Sequence, residues 1–317
     1  MHGKIRGTIF MNGVEISWFP VALIISVLVA WALIKWNWLT VSGALMACAL
    51  AFVVVILAKW SIFPLIIFLV LGSLAGKLRS RKDDSKRNSV LQGDDIHIHA
   101  AKVDGFEEVK DGGDEKQGKA RDHWQVLANG GIFMLLAMLA FLNDSGWLKS
   151  ILGIHTEVLR FSETCHLLAI ISLAVSCADT LSSDFGRVWG GSPRNIITGK
   201  RMIKGVSGGV TGAGFVGAFL GAVPIAIFVL WSEFSSLGSS ASLFWIVVIF
   251  GFIGSILDSV LGVLFQAKYL DEMGNQVDSS DGGRRIMNAG FRWVTNDVVN
   301  AVTGILMLLV AVMYLCW

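Results

Sequence analysis

Long apolar stretches alternate with short polar ones along most of the chain. No Asp, Glu, Lys or Arg occurs over 16–34, 36–58, 60–76, 123–143, 164–178, 205–232, 234–257 or 298–317. A helix that crosses a bilayer needs about 20 predominantly apolar residues. The pattern therefore predicts an all-α, polytopic membrane helix bundle of about eight transmembrane helices, a single transmembrane domain over 1–317. Residues 79–119 break the pattern. They are polar and mixed in charge, with RSRKDDSKR and KDGGDEKQGK and no sustained apolar period, which predicts a solvated, flexible insertion. His97 and His99 alternate within it, but with no third ligand nearby they do not predict a metal site. Residues 144–163 hold an apolar patch (Trp147, Leu148, Ile151, Leu152, Ile154) too short to span. It is expected to lie along the interface on the other face.

Composition sharpens the class. Of 317 residues, 54% are hydrophobic and 16% charged, against roughly 25% charged in soluble domains. A water-soluble enzyme, a disulfide scaffold and a disordered chain are excluded. The net charge of +2 is less informative than its placement: 20 of the 26 Lys and Arg fall in 77–121, 187–204 and 268–292. Two apolar runs separate each of these segments from the next, so all three are predicted on one face. The positive-inside rule makes that face cytosolic, or stromal in a plastid. Cys48, Cys165, Cys177 and Cys316 lie in or beside apolar runs without a CxxC pair, and read as packing residues. Most of the 12 Trp fall near run ends, where an interfacial belt is expected.

Carboxylates at membrane depth are functional candidates. Asp179 ends the fifth run, Asp258 sits in GSILDSVLG with Gln266 following, and Asp297 opens the last run in TNDVVN. Helical spacing puts Asp179, Ser183 and Gly186 on one face, Ser255, Asp258, Gly262 and Gln266 on a second, and Asn296, Asn300 and Thr303 on a third. Three polar stripes at comparable depth predict one pocket open to the basic face. Converging carboxylates repel unless a cation neutralises them, and oxygen ligands with room for water suit Mg²⁺ (or Mn²⁺), which takes one or two carboxylates plus substrate phosphates.

The second ingredient is basic and glycine-rich: Lys200, Arg201 and Lys204, then Gly205, Val206, Ser207, Gly208 and Gly209. Glycines let backbone amides approach an anion, and cations beside them add charge. Gly212, Gly214, Gly217 and Gly221 lie deeper in the run and read instead as helix-packing residues. A metal-binding carboxylate set beside a phosphate cradle makes phosphoryl-transfer parts.

With these residues in view, the chain resembles the integral-membrane family that includes vertebrate transmembrane protein 19 and plant phytyl-phosphate kinase. The matching blocks are LTVSGA at 39–44, QVLANGG at 125–131, ADTLSSDFG at 178–186, SPR at 192–194, GVSGGVT at 205–211, 254–266 and NDVVN at 296–300. The family's ADTxxSE pattern has Asp184 in place of Glu, and its GTNGGV pattern reads GVSGGV. The arrangement is also similar to that of membrane CTP-dependent enzymes such as dolichol kinase and CDP-diacylglycerol synthase. The resemblance implies a polyprenyl-phosphate kinase that moves a γ-phosphate from a nucleoside triphosphate, CTP or a related one, to an isoprenyl monophosphate such as phytyl or geranylgeranyl phosphate.

In that reading Asp179, Asp258 and Lys204 are catalytic, and Asp179, Asp184, Asp258, Asn296 and Asp297 surround the metal. The nucleotide meets Lys200, Arg201, Lys204, Gly205, Ser207, Gly208, Gly209, Asn129, Ser183 and Arg194, with Arg187, Arg284 and Arg285 as further phosphate candidates. The expected partners are the lipid bilayer, the prenyl phosphate and the nucleotide. Nucleic acid is not expected, and a homo-oligomer is left open. Two other readings stand beside it. One is a transporter or flippase for a phosphorylated lipid, and the other a scaffold that docks through 79–119.

Overall fold

The structure, a computed structural model, describes residues 10–11, 14–15, 19–36, 38–58, 62–92, 121–153, 158–231, 234, 236–271, 274–280 and 283–315. A two-residue hairpin, β1 (Phe10–Met11) with β2 (Val14–Glu15), precedes α1 (Phe19–Lys35), α2 (Val41–Ala58) and α3 (Ile62–Gln92). Then come α4 (His123–Asp144), the short α5 (Trp147–Leu152) and α6 (Val158–Trp189). β3 (Arg194–Asn195) and β4 (Gly209–Val210) pair antiparallel around a loop that leads into α7 (Gly212–Trp231). α8 (Ser240–Leu264) is followed by β5 (Lys268–Leu270), β6 (Gln276–Val277) and β7 (Ile286–Ala289), and α9 (Asn296–Leu315) closes the described chain. The three strands after α8 form an antiparallel sheet in the order β6-β5-β7.

The chain is a polytopic helical membrane protein. Among the described residues, α3, α4, α6, α7, α8 and α9 are long and apolar enough to cross a bilayer, while α1 and α2 supply shorter apolar stretches, Ser26–Lys35 and Val41–Val54. α6 is the central helix: 72% of its apolar window is buried, against 28–44% in the other five. It packs on α3, α4, α7, α8 and α9. The outer helices turn side chains such as Trp231, Leu309 and Met313 outward, as lipid-facing surfaces do. α3 runs on through the polar sequence to Gln92. The rest of the insertion, His97, His99 and Cys316 lie outside the described residues.

Local chemistry fixes the helix ends. Asp122 caps α4 by accepting from the Gln125 amide at 3.1 Å, and Ser239 caps α8 by accepting from Ser242 at 3.2 Å, each satisfying an amide the helix leaves unpaired. At the other end of α8, Lys268 Nζ donates to the Gly262 and Val263 carbonyls at 2.8 and 3.1 Å, where the helix dipole favours a cation. Burial pushes the Lys268 pKa down, while the nearby charge of Asp278 acts to raise it.

Glycines set the spacing of α6 and α7. A Cβ at Gly217 would lie 2.5 Å from the Leu181 carbonyl oxygen, and one at Gly221 would lie 2.6 Å from that of Cys177. The packing role expected for the α7 glycines thus holds for these two and for Gly214, which faces the Ser182 carbonyl. Gly212 is the exception: it is exposed, with open space where a Cβ would go. Gly217→Ala should destabilise the protein by about 1–3 kcal/mol through overpacking. Thermal unfolding in detergent, with Gly212→Ala unchanged beside it, checks this.

Cys165 and Cys177 are buried, Cys48 is half-buried, and all three are free thiols, in keeping with packing roles. Trp124, Trp231 and Trp293 are exposed near helix ends. Trp36 and Trp38 instead pair with ring centroids 5.2 Å apart and line the cavity described next.

Candidate functional site

A cavity of about 1270 Å³ opens at one end of the bundle. The three basic segments converge there: Lys77, Arg79, Arg81 and Arg121 from the first, Arg187 and Lys204 from the second, and Arg292 from the third line it. The shared face expected from charge placement is therefore present. Five acids, Asp179, Asp184, Asp258, Asp278 and Asp297, line the same space.

Its centre is built by α6, α8 and α9. Asp179 and Asp258, 79 positions apart in sequence, come close enough for their side chains to interact. Thr303 of α9 donates to Asp258 Oδ1 at 3.1 Å. Asn300, one turn before Thr303, donates from Nδ2 to Asn129 Oδ1 at 3.4 Å, and its own Oδ1 is buried without a partner among the described residues. The expected stripes thus converge through Asp179, Ser183, Gly186, Asp258, Gln266, Asn296 and Asn300, which all line the cavity. Ser255, Gly262 and Thr303 do not.

Gly262 has another task. A Cβ there would fall 2.2 Å from Ser207 Oγ, and one at Gly208 would fall 2.1 Å from Val263 Cγ2 and 2.8 Å from the Ser259 carbonyl oxygen. Two glycines, one on each partner, let the 205–209 loop press against α8 one turn beyond Asp258. Gly205 and Gly208 also hold φ of +92° and +84°, where an L side chain is disfavoured. The loop thus needs glycine partly for reasons unrelated to phosphate.

One of its amides nonetheless faces a carboxylate. The Ser207 amide donates to Asp278 Oδ2 at 2.8 Å, and Gln266 Nε2 reaches the same oxygen at 3.2 Å. Arg187 Nη2 donates to the Gly205 carbonyl at 3.2 Å, and Lys204 Nζ to the Gly190 carbonyl at 3.0 Å, so both cations are anchored beside the loop. The Gly209 amide turns inward to the Val206 carbonyl at 3.3 Å. Of the expected nucleotide residues, Lys204, Gly205, Ser207, Gly208, Gly209, Asn129 and Ser183 line the cavity, while Arg194, Lys200 and Arg201 do not. Those three are exposed on the β3 hairpin, where Arg194 Nη1 donates to the Gly199 carbonyl at 3.0 Å. Arg284 and Arg285 also lie outside the lining; Arg285 Nη1 donates to the Ser279 carbonyl at 3.2 Å.

The expected metal set separates. Among the described residues no three His, Cys, Asp or Glu side chains gather closely enough to hold an ion. Asp184, whose charge acts on Asp179, is paired with Arg79 Nη1 at 2.6 Å. Asn296 and Asp297 line the cavity at the start of α9. What remains is a pair of interacting carboxyls, with an Asn300 oxygen that has no partner among the described residues in the same lining. Two carboxylates in contact require a shared proton or cation, and an all-oxygen set with few protein ligands fits Mg²⁺ or Mn²⁺ that is completed by phosphate and water.

Sequence reasoning missed Arg79, Arg121 and Asp278. Arg79 sits just past an apolar run and Arg121 just before one, a position that marks snorkelling cations generally and so singles out neither. Asp278 carries no sequence signal.

Residues 24–308 match the family described as integral membrane protein DUF92. The chain is also 31% identical over 200 residues to Protein PGR of Arabidopsis thaliana, across 60% of this chain and 68% of that one. No solved structure matches. The matched span takes in every helix that lines the cavity, and the chain belongs to the DUF92 family of integral membrane proteins.

Proposed function

We propose that the protein is a membrane kinase that transfers the γ-phosphoryl group of CTP, or another nucleoside triphosphate, to an isoprenyl monophosphate such as phytyl or geranylgeranyl phosphate. The observation that carries the reading is the convergence of Asp179 and Asp258 in a cavity shared with the glycine loop and Lys204. In the reaction an oxygen of the acceptor monophosphate forms a bond to the γ-phosphorus as the bond to the β-bridging oxygen breaks. The products are the prenyl diphosphate and CDP. The acceptor is already an anion, so no proton has to be removed, and catalysis rests on positioning and charge neutralisation.

Asp179, Asp258 and the Asn300 oxygen would hold Mg²⁺ or Mn²⁺, which when bound supplies charge compensation for the transferring phosphoryl group. Lys204 and the Gly205–Gly208 backbone would hold the nucleotide phosphates. The basic face belongs on the cytosolic or stromal side by the positive-inside rule, where nucleotides are available.

Purified full-length protein given γ-labelled CTP, Mg²⁺ and geranylgeranyl phosphate tests the reading. Label is expected in the lipid. If the protein instead moves the lipid phosphate across a vesicle bilayer and no nucleoside triphosphate donates label, the transporter reading replaces the kinase.

A further inference from the structure

One group of cavity residues has no part in holding the nucleotide. Arg79 of α3 pairs with Asp184 of α6, and its Nε is buried with no partner among the described residues. Arg121, at the head of α4, interacts electrostatically with the same Asp184 and donates Nη2 to the Gly72 carbonyl at 2.9 Å. Its guanidinium lies over the Phe68 ring at 5.8 Å and fills the space a Cβ at Gly72 would need, 2.7 Å away. The segment before α4 is tied to the end of α1 by the Arg121 amide on the Trp38 carbonyl (3.2 Å) and the Thr40 amide on the Arg121 carbonyl (3.0 Å). Gly43 permits this close approach, because a Cβ there would lie 2.3 Å from the Arg121 oxygen. Arg121 is thus held in place from three sides.

Arg79 and Arg121 share the Asp184 carboxylate, which also faces Asp179, so the two guanidiniums carry one more charge than this counter-ion neutralises. Arg79, Arg121, Gln125, Trp36 and Trp38 line the same cavity. The nucleotide loop comes from the segment between α6 and α7, whereas these groups come from α1, α3, α4 and the residues beside them. We propose that Arg79 and Arg121 form a second anion subsite that takes the phosphomonoester of an amphiphilic lipid, with Asp184 as the internal counter-ion that holds both arginines in the absence of that lipid. The tail would leave past Trp36 and Trp38 towards the apolar faces of α1 and α2. This assignment rests on the kinase reading for the lipid's identity, but binding tests it without turnover.

The experiment uses full-length protein in phosphatidylcholine nanodiscs without nucleotide, and radiolabelled geranylgeranyl monophosphate as the probe. Arg79→Gln and Arg121→Gln should each weaken its binding at least 10-fold while changing CTP affinity, measured separately, less than 2-fold. Retained CTP binding also reports that each variant is folded, and should one fail to fold the other carries the test. Asp184→Asn should bind the lipid phosphate several-fold more tightly, because removing the counter-ion leaves both guanidiniums uncompensated.

Unchanged lipid affinity in the folded arginine variants, or weaker binding in Asp184→Asn, overturns the subsite. Inorganic phosphate that competes at the concentration of the lipid itself overturns the lipid assignment and makes this a free-phosphate site. A protein that binds the lipid through Arg79 yet transfers no label keeps the subsite and loses the kinase reading.

Discussion

Asp258→Asn should lower label transfer by about 100- to 1000-fold, the scale associated with loss of one central electrostatic group in an active site, while the protein stays folded and membrane-inserted. The replacement keeps shape and keeps an oxygen for Thr303 Oγ1, which now sits 3.1 Å from Asp258 Oδ1, so the α8–α9 contact survives. What is lost is the negative charge that, in the proposed reading, would draw a divalent cation to the cavity together with Asp179. Asp179→Asn should behave alike. In the double variant the loss should be close to that of either single one, because groups acting as a unit are not additive. Mn²⁺ binding followed by electron paramagnetic resonance gives a readout independent of turnover, and both single variants should weaken it. Turnover within 3-fold of the parent in either variant would remove the metal assignment.

Much of the bundle was legible because a bilayer imposes its length on the sequence. Charge-free runs mark α4 and α9 closely and enclose α7, since a charge inside hydrocarbon is costly. α3, α6 and α8 run past their charge-free cores, because a helix continues wherever the backbone is satisfied, whether or not its surface is apolar. The strands β3 to β7 hold two to four residues each, too few for an alternation to register.

The same contrast runs through the site. Asp179 and Asp258 were legible because each is a charge placed against an apolar run, which has few inexpensive explanations. The Arg79–Asp184 pair joins residues 105 positions apart across the polar insertion, and nothing local in either segment calls for the other. Arg194, Lys200 and Arg201 lie outside the cavity lining for the converse reason. They are close to the glycines in sequence, but the β3–β4 hairpin leaves them exposed while Lys204 turns into the cavity.

Gly208→Ala should abolish nucleotide binding, with at least about a 100-fold loss of affinity, the scale at which small misplacements act. Two independent terms oppose the methyl group. At φ +84° an L residue carries roughly 1–2 kcal/mol of backbone strain, and the Cβ would stand 2.1 Å from Val263 Cγ2 and 2.8 Å from the Ser259 carbonyl oxygen. Val263 can shift, but the Ser259 carbonyl belongs to the α8 backbone and cannot move without the helix. The loop must therefore lift, carrying the Ser207 amide away from Asp278 and Lys204 away from its Gly190 anchor. Gly212→Ala is the matched control: that position has open space and lies outside the cavity lining, so CTP affinity should stay within 2-fold. Equal behaviour of the two variants would mean that the loop is not seated on α8 as described, because space and backbone angle are the features that separate the two glycines.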